Sequence, residues 1–212
     1  MKRKKDVITV SALKNITFSL QCGDRLGLIG HNGSGKTTLL KLLAGIYTPT
    51  AGKIQTKGKI STLFDILLGS QDDMTGFENL YLSSITRGKS IVETKRSLKE
   101  MANFTELGDY LHVPMRTYSS GMKLRVGFAV ATEGTPDILL IDEIFGTGDQ
   151  NFVEKSSQRL KDLINRSGIL VFSSHSKELL RQLCNKVMIL EHGEIKAMGE
   201  TEEILSFYDA NH

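Results

Sequence analysis

The residues best placed to do chemistry are Gly30-His31-Asn32-Gly33-Ser34-Gly35-Lys36-Thr37-Thr38, between the apolar run 25–29 and a helical pattern over 36–44. Their spacing is G-x-x-x-x-G-K-[ST]. Small residues there let backbone N–H groups turn inward around a phosphate, at a helix N-terminus that already favours anions. Lys36 would set its ammonium between the β- and γ-phosphates, and Thr37 would offer its hydroxyl to Mg²⁺. A second cluster follows the apolar run Ile138-Leu139-Leu140-Ile141, which ends in Asp142-Glu143. Carboxylates at the C-terminal end of a buried strand emerge where open α/β sheets bind their ligands. Asp142 would hold Mg²⁺ through water, and Glu143 would accept a proton from an attacking water. The chemistry implied is hydrolysis of a nucleoside triphosphate.

Such residues need strands that stop where they begin. The runs 25–29, 138–141, 169–173 and 187–190 are short and apolar, and helical patterns at 36–44, 152–164 and 176–183 separate them. That alternation predicts a parallel sheet covered on both faces. The stretches 7–10 and 16–20 read as opening strands, 53–55 and 59–64 as two more, and 194–197 as a last strand before a helix at 202–208. Between about 76 and 133 strand runs give way to helical patterns, notably 91–104 and 119–131. The expectation is an α/β body, 1–75 and 134–212, with an inserted helical subdomain over 76–133.

The 212 residues, 40% of them hydrophobic, can bury one large core or two modest lobes. No apolar run approaches the roughly 20 residues of a bilayer span. The basic start Met1-Lys2-Arg3-Lys4-Lys5 lacks the apolar stretch of a signal peptide, so export of the chain is not expected. The net charge of +3 resides in that start; without its four cations, 23 basic residues face 24 acidic ones. That balance speaks against a nucleic-acid partner. The basic start is either a solvated, frayed terminus or a contact for anionic headgroups. Cys22 and Cys184 stand far apart in no metal-ligand spacing, which fits a reducing cytoplasm.

Further motifs carry a family resemblance. Tyr118-Ser119-Ser120-Gly121-Met122 resembles the signature of ABC transporter ATP-binding subunits, Asp149 stands where their D-loop aspartate does, and His175 follows an apolar strand as their switch histidine does. The resemblance spans nearly the whole chain. It implies a P-loop NTPase (RecA-like) core with N-terminal antiparallel β strands, all within one nucleotide-binding domain over 1–212. It also implies a homodimer that sandwiches two ATP molecules. Each site would then combine the phosphate loop, Glu143 and His175 of one subunit with Ser119, Ser120, Gly121 and Met122 of the other.

Two departures narrow the family. No aromatic residue precedes Phe18 to stack an adenine, and Gln71 stands too close to Thr75 to fill the usual glutamine position. Asp65 lies near that position, either reaching Mg²⁺ through water or solvated in a loop. The run Asp72-Asp73-Met74-Thr75-Gly76-Phe77-Glu78-Asn79 resembles the Thr-Gly-x-Glu-Asn segment of polysaccharide exporters, which carry capsule, O-antigen or teichoic-acid chains. The resemblance implies a separate membrane permease, a lipid-linked glycan as cargo and a peripheral place on the cytoplasmic face of the membrane. With the chain ending soon after its last helix, glycan recognition is expected of the permease or of this domain's own face. The alternatives are an ABC ATPase with another cargo, or a mechanical clamp outside transport. A GTPase is disfavoured, since Asn185-Lys186 is followed by Val187-Met188 and not by the base-reading Asn-Lys-x-Asp.

Overall fold

Alternation and apolarity decide which segments become sheet. The computed structural model describes residues 11–64, 66–142 and 150–211, and the side chains of Gln150 and Asn151 are left aside. Two compact units emerge: the described residues of Met1–Thr56 with Val171–His212, and those of Lys57–Leu170. The expected helical segment 76–133 lies whole inside the second.

The first unit is built on β1 (Arg25–Ile29), β5 (Lys186–Glu191) and β6 (Glu194–Glu200), with helices α1 (Lys36–Leu43), α6 (Lys177–Leu183) and α7 (Thr201–Asn211). Strand β1 runs parallel to β5, from Leu26 opposite Lys186 to Ile29 opposite Ile189. Leu26, Leu28, Val187, Met188, Ile189 and Leu190 have no exposed surface, as expected of strands covered on both faces. Asn185 clamps the start of the pair: its Oδ1 accepts from the Arg25 N–H at 2.9 Å, and its own N–H donates to the Arg25 carbonyl at 3.0 Å. Strand β6 pairs antiparallel with β5 through the two-residue turn His192-Gly193, whose φ values of 47° and 82° suit a tight hairpin.

The second unit pairs β2 (Ile60–Thr62) in parallel with β3 (Ile138–Asp142). Helices α2 (Gly76–Thr86), α3 (Ile91–Thr105) and α4 (Ser120–Ala131) pack on one another, and α5 (Gln150–Arg166) follows β3 in the chain. Thr75 and Glu78 form a capping box at α2, and Ser90 and Glu93 form another at α3. Each satisfies two backbone donors that a helix start would otherwise leave unpaired. Hydrogen bonding from the Thr75 backbone holds the Glu78 carboxyl below its ordinary range. Strand β4 (Ile169–Ser173) carries the chain from the second unit back to the first.

Some expected elements differ. Over 16–20 the chain forms no strand, although half-buried Ile16, Phe18 and Leu20 alternate with exposed Thr17 and Ser19. The period-two pattern marks a face laid on the body, without a ladder of its own. Residues 53–55 are exposed and form no strand. Strand β6 and helix α7 run longer than expected, whereas β2 is shorter than 59–64. The expected strand at 7–10 lies outside the described residues.

Candidate nucleotide site

The phosphate loop begins where β1 ends. Crowding demands glycine at Gly30: an added Cβ would sit 2.2 Å from the Leu190 carbonyl oxygen and 2.9 Å from Ser34 Oγ. The loop then folds back on itself, and the Ser34 N–H donates to the His31 carbonyl at 3.2 Å. Gly35, at φ 108°, serves as the N-cap of α1 with no side-chain cap. A left-handed cap of this kind suits glycine and leaves the first amides of the helix to bind an anion.

Lys36 is 8% exposed, and its Nζ donates to the Gly30 carbonyl at 2.6 Å and the His31 carbonyl at 3.1 Å. The ammonium is therefore held inside the loop before any phosphate arrives. Ser34 is wholly buried, and its hydroxyl has no hydrogen-bond partner among the described residues. An orphaned buried hydroxyl costs about 1–3 kcal/mol, a cost tolerated where binding and folding compete. Thr37 is exposed and Thr38 half-buried on the first turn of α1, while His31, Asn32 and Gly33 form the exposed rim.

The His192-Gly193 hairpin braces the loop from behind. The Gly193 N–H donates to the Ser34 carbonyl at 3.0 Å, and the Lys14 N–H donates to the Gly193 carbonyl at 2.7 Å. The His31 and His192 rings lie 4.9 Å apart. Both arms of this hairpin match strands expected at 187–190 and 194–197, but its bracing of the loop has no local signal beyond the His-Gly pair between them.

His175 belongs to the same unit. The Ser174 N–H donates to the Leu28 carbonyl at 3.3 Å, which ties the end of β4 to β1 two residues before the loop. Ser174 Oγ accepts from the Ser176 N–H at 3.0 Å, and Ser176 caps α6. His175 stands exposed on a turn fixed from both sides.

In the second unit, β3 delivers a half-buried Asp142 after three fully buried residues. Glu143, Asp149 and Asp65 lie outside the described residues. Ser119 caps α4, accepting from the Met122 N–H at 3.2 Å. Ser119 and Ser120 are exposed, and Gly121 and Met122 half-exposed. Around Gly121 an added Cβ would find nothing nearer than Ser119 Oγ at 3.9 Å, so packing within the chain does not require a glycine there. An open cavity of about 800 Å³ adjoins this turn, lined by Leu67, Leu107, Tyr110, Met122 and Arg125 among others.

The loop's uncapped helix start, its inward ammonium and its orphaned hydroxyl fit a bound triphosphate. This site and fold define a phosphate-loop nucleotide hydrolase. The ABC transporter family model matches residues 13–146, and the chain belongs to that family as an ATP-binding subunit and ATPase. It is 49% identical over 190 residues to the O-antigen export system ATP-binding protein RfbE of Yersinia enterocolitica, covering 90% of this chain and 80% of that one. Identity is 38% over 207 residues to the O-antigen export system ATP-binding protein RfbB of Myxococcus xanthus, covering 98% of this chain and 47% of the relative. The teichoic acids export ATP-binding protein TagH of Listeria innocua is 35% identical over 209 residues, covering 99% and 62%. The chain thus spans most of the first relative but only about half to three-fifths of the other two. Among solved structures, an ATP-binding subunit of an ABC transporter matches with a TM-score of 0.76 at 26% identity, covering 93% of this chain and 87% of that one. A dimeric ATP-binding cassette in a post-hydrolysis state with ADP and Pi shares the fold, at TM-score 0.73 and 24% identity over 94% of each chain. Among the described residues no helix is long and apolar enough to cross a membrane.

Proposed function

We propose that this subunit powers export of a lipid-linked surface polysaccharide through a separate permease, working as a homodimer at the cytoplasmic face of the cell membrane. The observation that carries the cargo is the 49% identity with an O-antigen export protein over 90% of the chain.

The phosphate loop's own geometry supports its part in the proposed division of labour, and the motifs supply the rest. Lys36 would exchange the carbonyls of Gly30 and His31 for β- and γ-phosphate oxygens, so little rearrangement precedes binding. Thr37 and Asp142 would hold Mg²⁺, with Asp65 a further candidate, and that ion would supply charge neutralisation on the phosphates. Glu143 is the base for the attacking water, His175 contacts the γ-phosphate, and Asp149 orders the facing edge. Ser119, Ser120, Gly121 and Met122 of each subunit complete the partner's site. The helical segment 76–133 and the residues just before it would meet the cytoplasmic helices of the permease.

A strain lacking the gene tests this reading when complemented with wild type or Lys36→Ala. Surface glycan is scored by gel and antibody, and lipid-linked glycan is assayed inside the cell. Loss at the surface with accumulation inside, rescued by wild type alone, is the expected outcome. Unchanged glycan in every strain would remove the cargo while leaving the ATPase in place.

A further inference from the structure

The run 72–79 marks the polysaccharide-exporter resemblance, yet none of its residues has a role in the division of labour above. Its contacts supply one. Asn79, with no exposed surface, gathers the preceding loop around its side chain. Its Oδ1 accepts from the Gln71 N–H at 2.7 Å, and its Nδ2 donates to the carbonyls of Gln71, Met74 and Thr75 at 2.9, 3.2 and 2.9 Å. The loop so fixed is then joined to the residues on both sides of Ser119.

Before Ser119, the Arg116 N–H donates to the Asp72 carbonyl and the Met115 N–H to the Met74 carbonyl, both at 2.8 Å. The Arg116 guanidinium pairs with the Asp73 carboxylate at 2.7 Å. After Ser119, Lys123 on the first turns of α4 donates to the Asp72 carboxylate at 2.6 Å. Directly beside it, Tyr118 is 7% exposed, and its hydroxyl donates to the Tyr110 carbonyl. Burial raises the Tyr118 phenol above its ordinary range.

Gly76 closes the arrangement. An added Cβ there would lie 2.4 Å from the Tyr118 hydroxyl and 2.8 Å from Leu111 Cδ2. A methyl at Gly76 would press on the tip of the buried Tyr118 side chain, the residue immediately before Ser119, and on Leu111, whose Cα would lie 3.3 Å away.

We propose that the run 71–79 is a seat for the signature turn, in which Asp72, Gly76 and Asn79 are positioning residues that aim Ser119 and Gly121 at the partner subunit's nucleotide. The inference deepens the dimeric ATPase reading and rests on it. It gives the run a structural reason: Asp72 grips the turn through Lys123, Gly76 leaves room for Tyr118, and Asn79 holds the loop that carries Asp72. The seat sets dimer closure and leaves the phosphate loop's own grip on ATP untouched.

The test uses the full chain and three measurements: affinity for a fluorescent ATP analogue, ATP-driven dimerisation in a Glu143→Gln background by light scattering, and kcat with Glu143 intact. Gly76→Ala should bind the analogue within about twofold of wild type while dimerisation and kcat fall about tenfold or more. Asp72→Lys and Lys123→Asp should each raise the ATP concentration for half-maximal dimerisation by about threefold, and the double exchange should restore it. A merely structural role would lower analogue binding and dimerisation together and would not be rescued by the exchange. A folded Gly76→Ala that dimerises like wild type overturns the proposal, as does a double exchange no better than its parents. Should Gly76→Ala fail to fold, the charge exchange decides alone. A wild-type chain that never dimerises on ATP would instead sink the dimeric reading, and the seat with it.

Discussion

On the proposed reading the phosphate loop and the signature turn would do comparable work, each presenting backbone and small side chains to a phosphate. Their support differs. The loop's central contacts run from Lys36 to carbonyls only six and five residues back. The signature turn leans on Asp72 and Asp73, which lie 51 and 43 residues from their partners Lys123 and Arg116. Farther along, Arg125 of the same helix lies 4.5 Å from the Phe152 ring and donates to the Thr105 carbonyl at 3.0 Å. The loop's local contacts are supplemented by a distant brace, the Gly193 N–H on the Ser34 carbonyl. A turn held from a distance moves when its holders move, which would suit the proposed meeting with a second subunit.

Four substitutions or labels probe that contrast, the largest effect first. Asn79→Ala removes four hydrogen bonds from a fully buried side chain and should cost about 4 kcal/mol in denaturant unfolding. Gly30→Ala drives a methyl against the Leu190 carbonyl and should cost about 3 kcal/mol, with ATP binding lost in the same protein. If Gly30→Ala bound ATP normally, the tightness of the loop would not matter to its task. Gly121→Ala meets open space, so stability should stay within about 0.5 kcal/mol or rise slightly, while ATP turnover falls. Retained turnover there would break the signature assignment. The least perturbing probe is alkylation at pH 8. Exposed Cys22 should react, whereas Cys184, whose thiol burial pushes up to about 12, should stay unmodified until the chain unfolds. A folded protein labelled at both thiols would show that the α6 side of the first unit opens readily.

The same contrast explains what could be read from residues alone. The phosphate loop, Asp142 and the strands β1, β3, β4 and β5 were legible because each is contiguous and apolar or glycine-marked. The cap of α4 was legible in Ser119, and that of α2 is spelled out as Thr75-x-x-Glu78. Alternation misled at 16–20, where the pattern records a buried face but no ladder. The expected strand at 53–55 misled too, because that stretch forms no strand and stays exposed. The grip of Asn79, the bracing by Gly193 and the pairing of Asp72 with Lys123 join positions with no period between them. Such contacts appear only when the chain is folded.

The first unit is assembled from two distant stretches of chain, since β1 is hydrogen-bonded to β5 and Arg25 to a residue 160 positions later. The second unit is one unbroken stretch. On a ribosome adding about 5–20 residues per second, β1 waits roughly ten to thirty seconds for its neighbour. The helical unit can therefore take shape during synthesis, while the phosphate loop stays without the strand and hairpin that brace it. A nascent chain would gain its hold on ATP only near the end of translation. A truncation between Leu170 and β5 should leave a folded helical piece unable to bind nucleotide at its own phosphate loop.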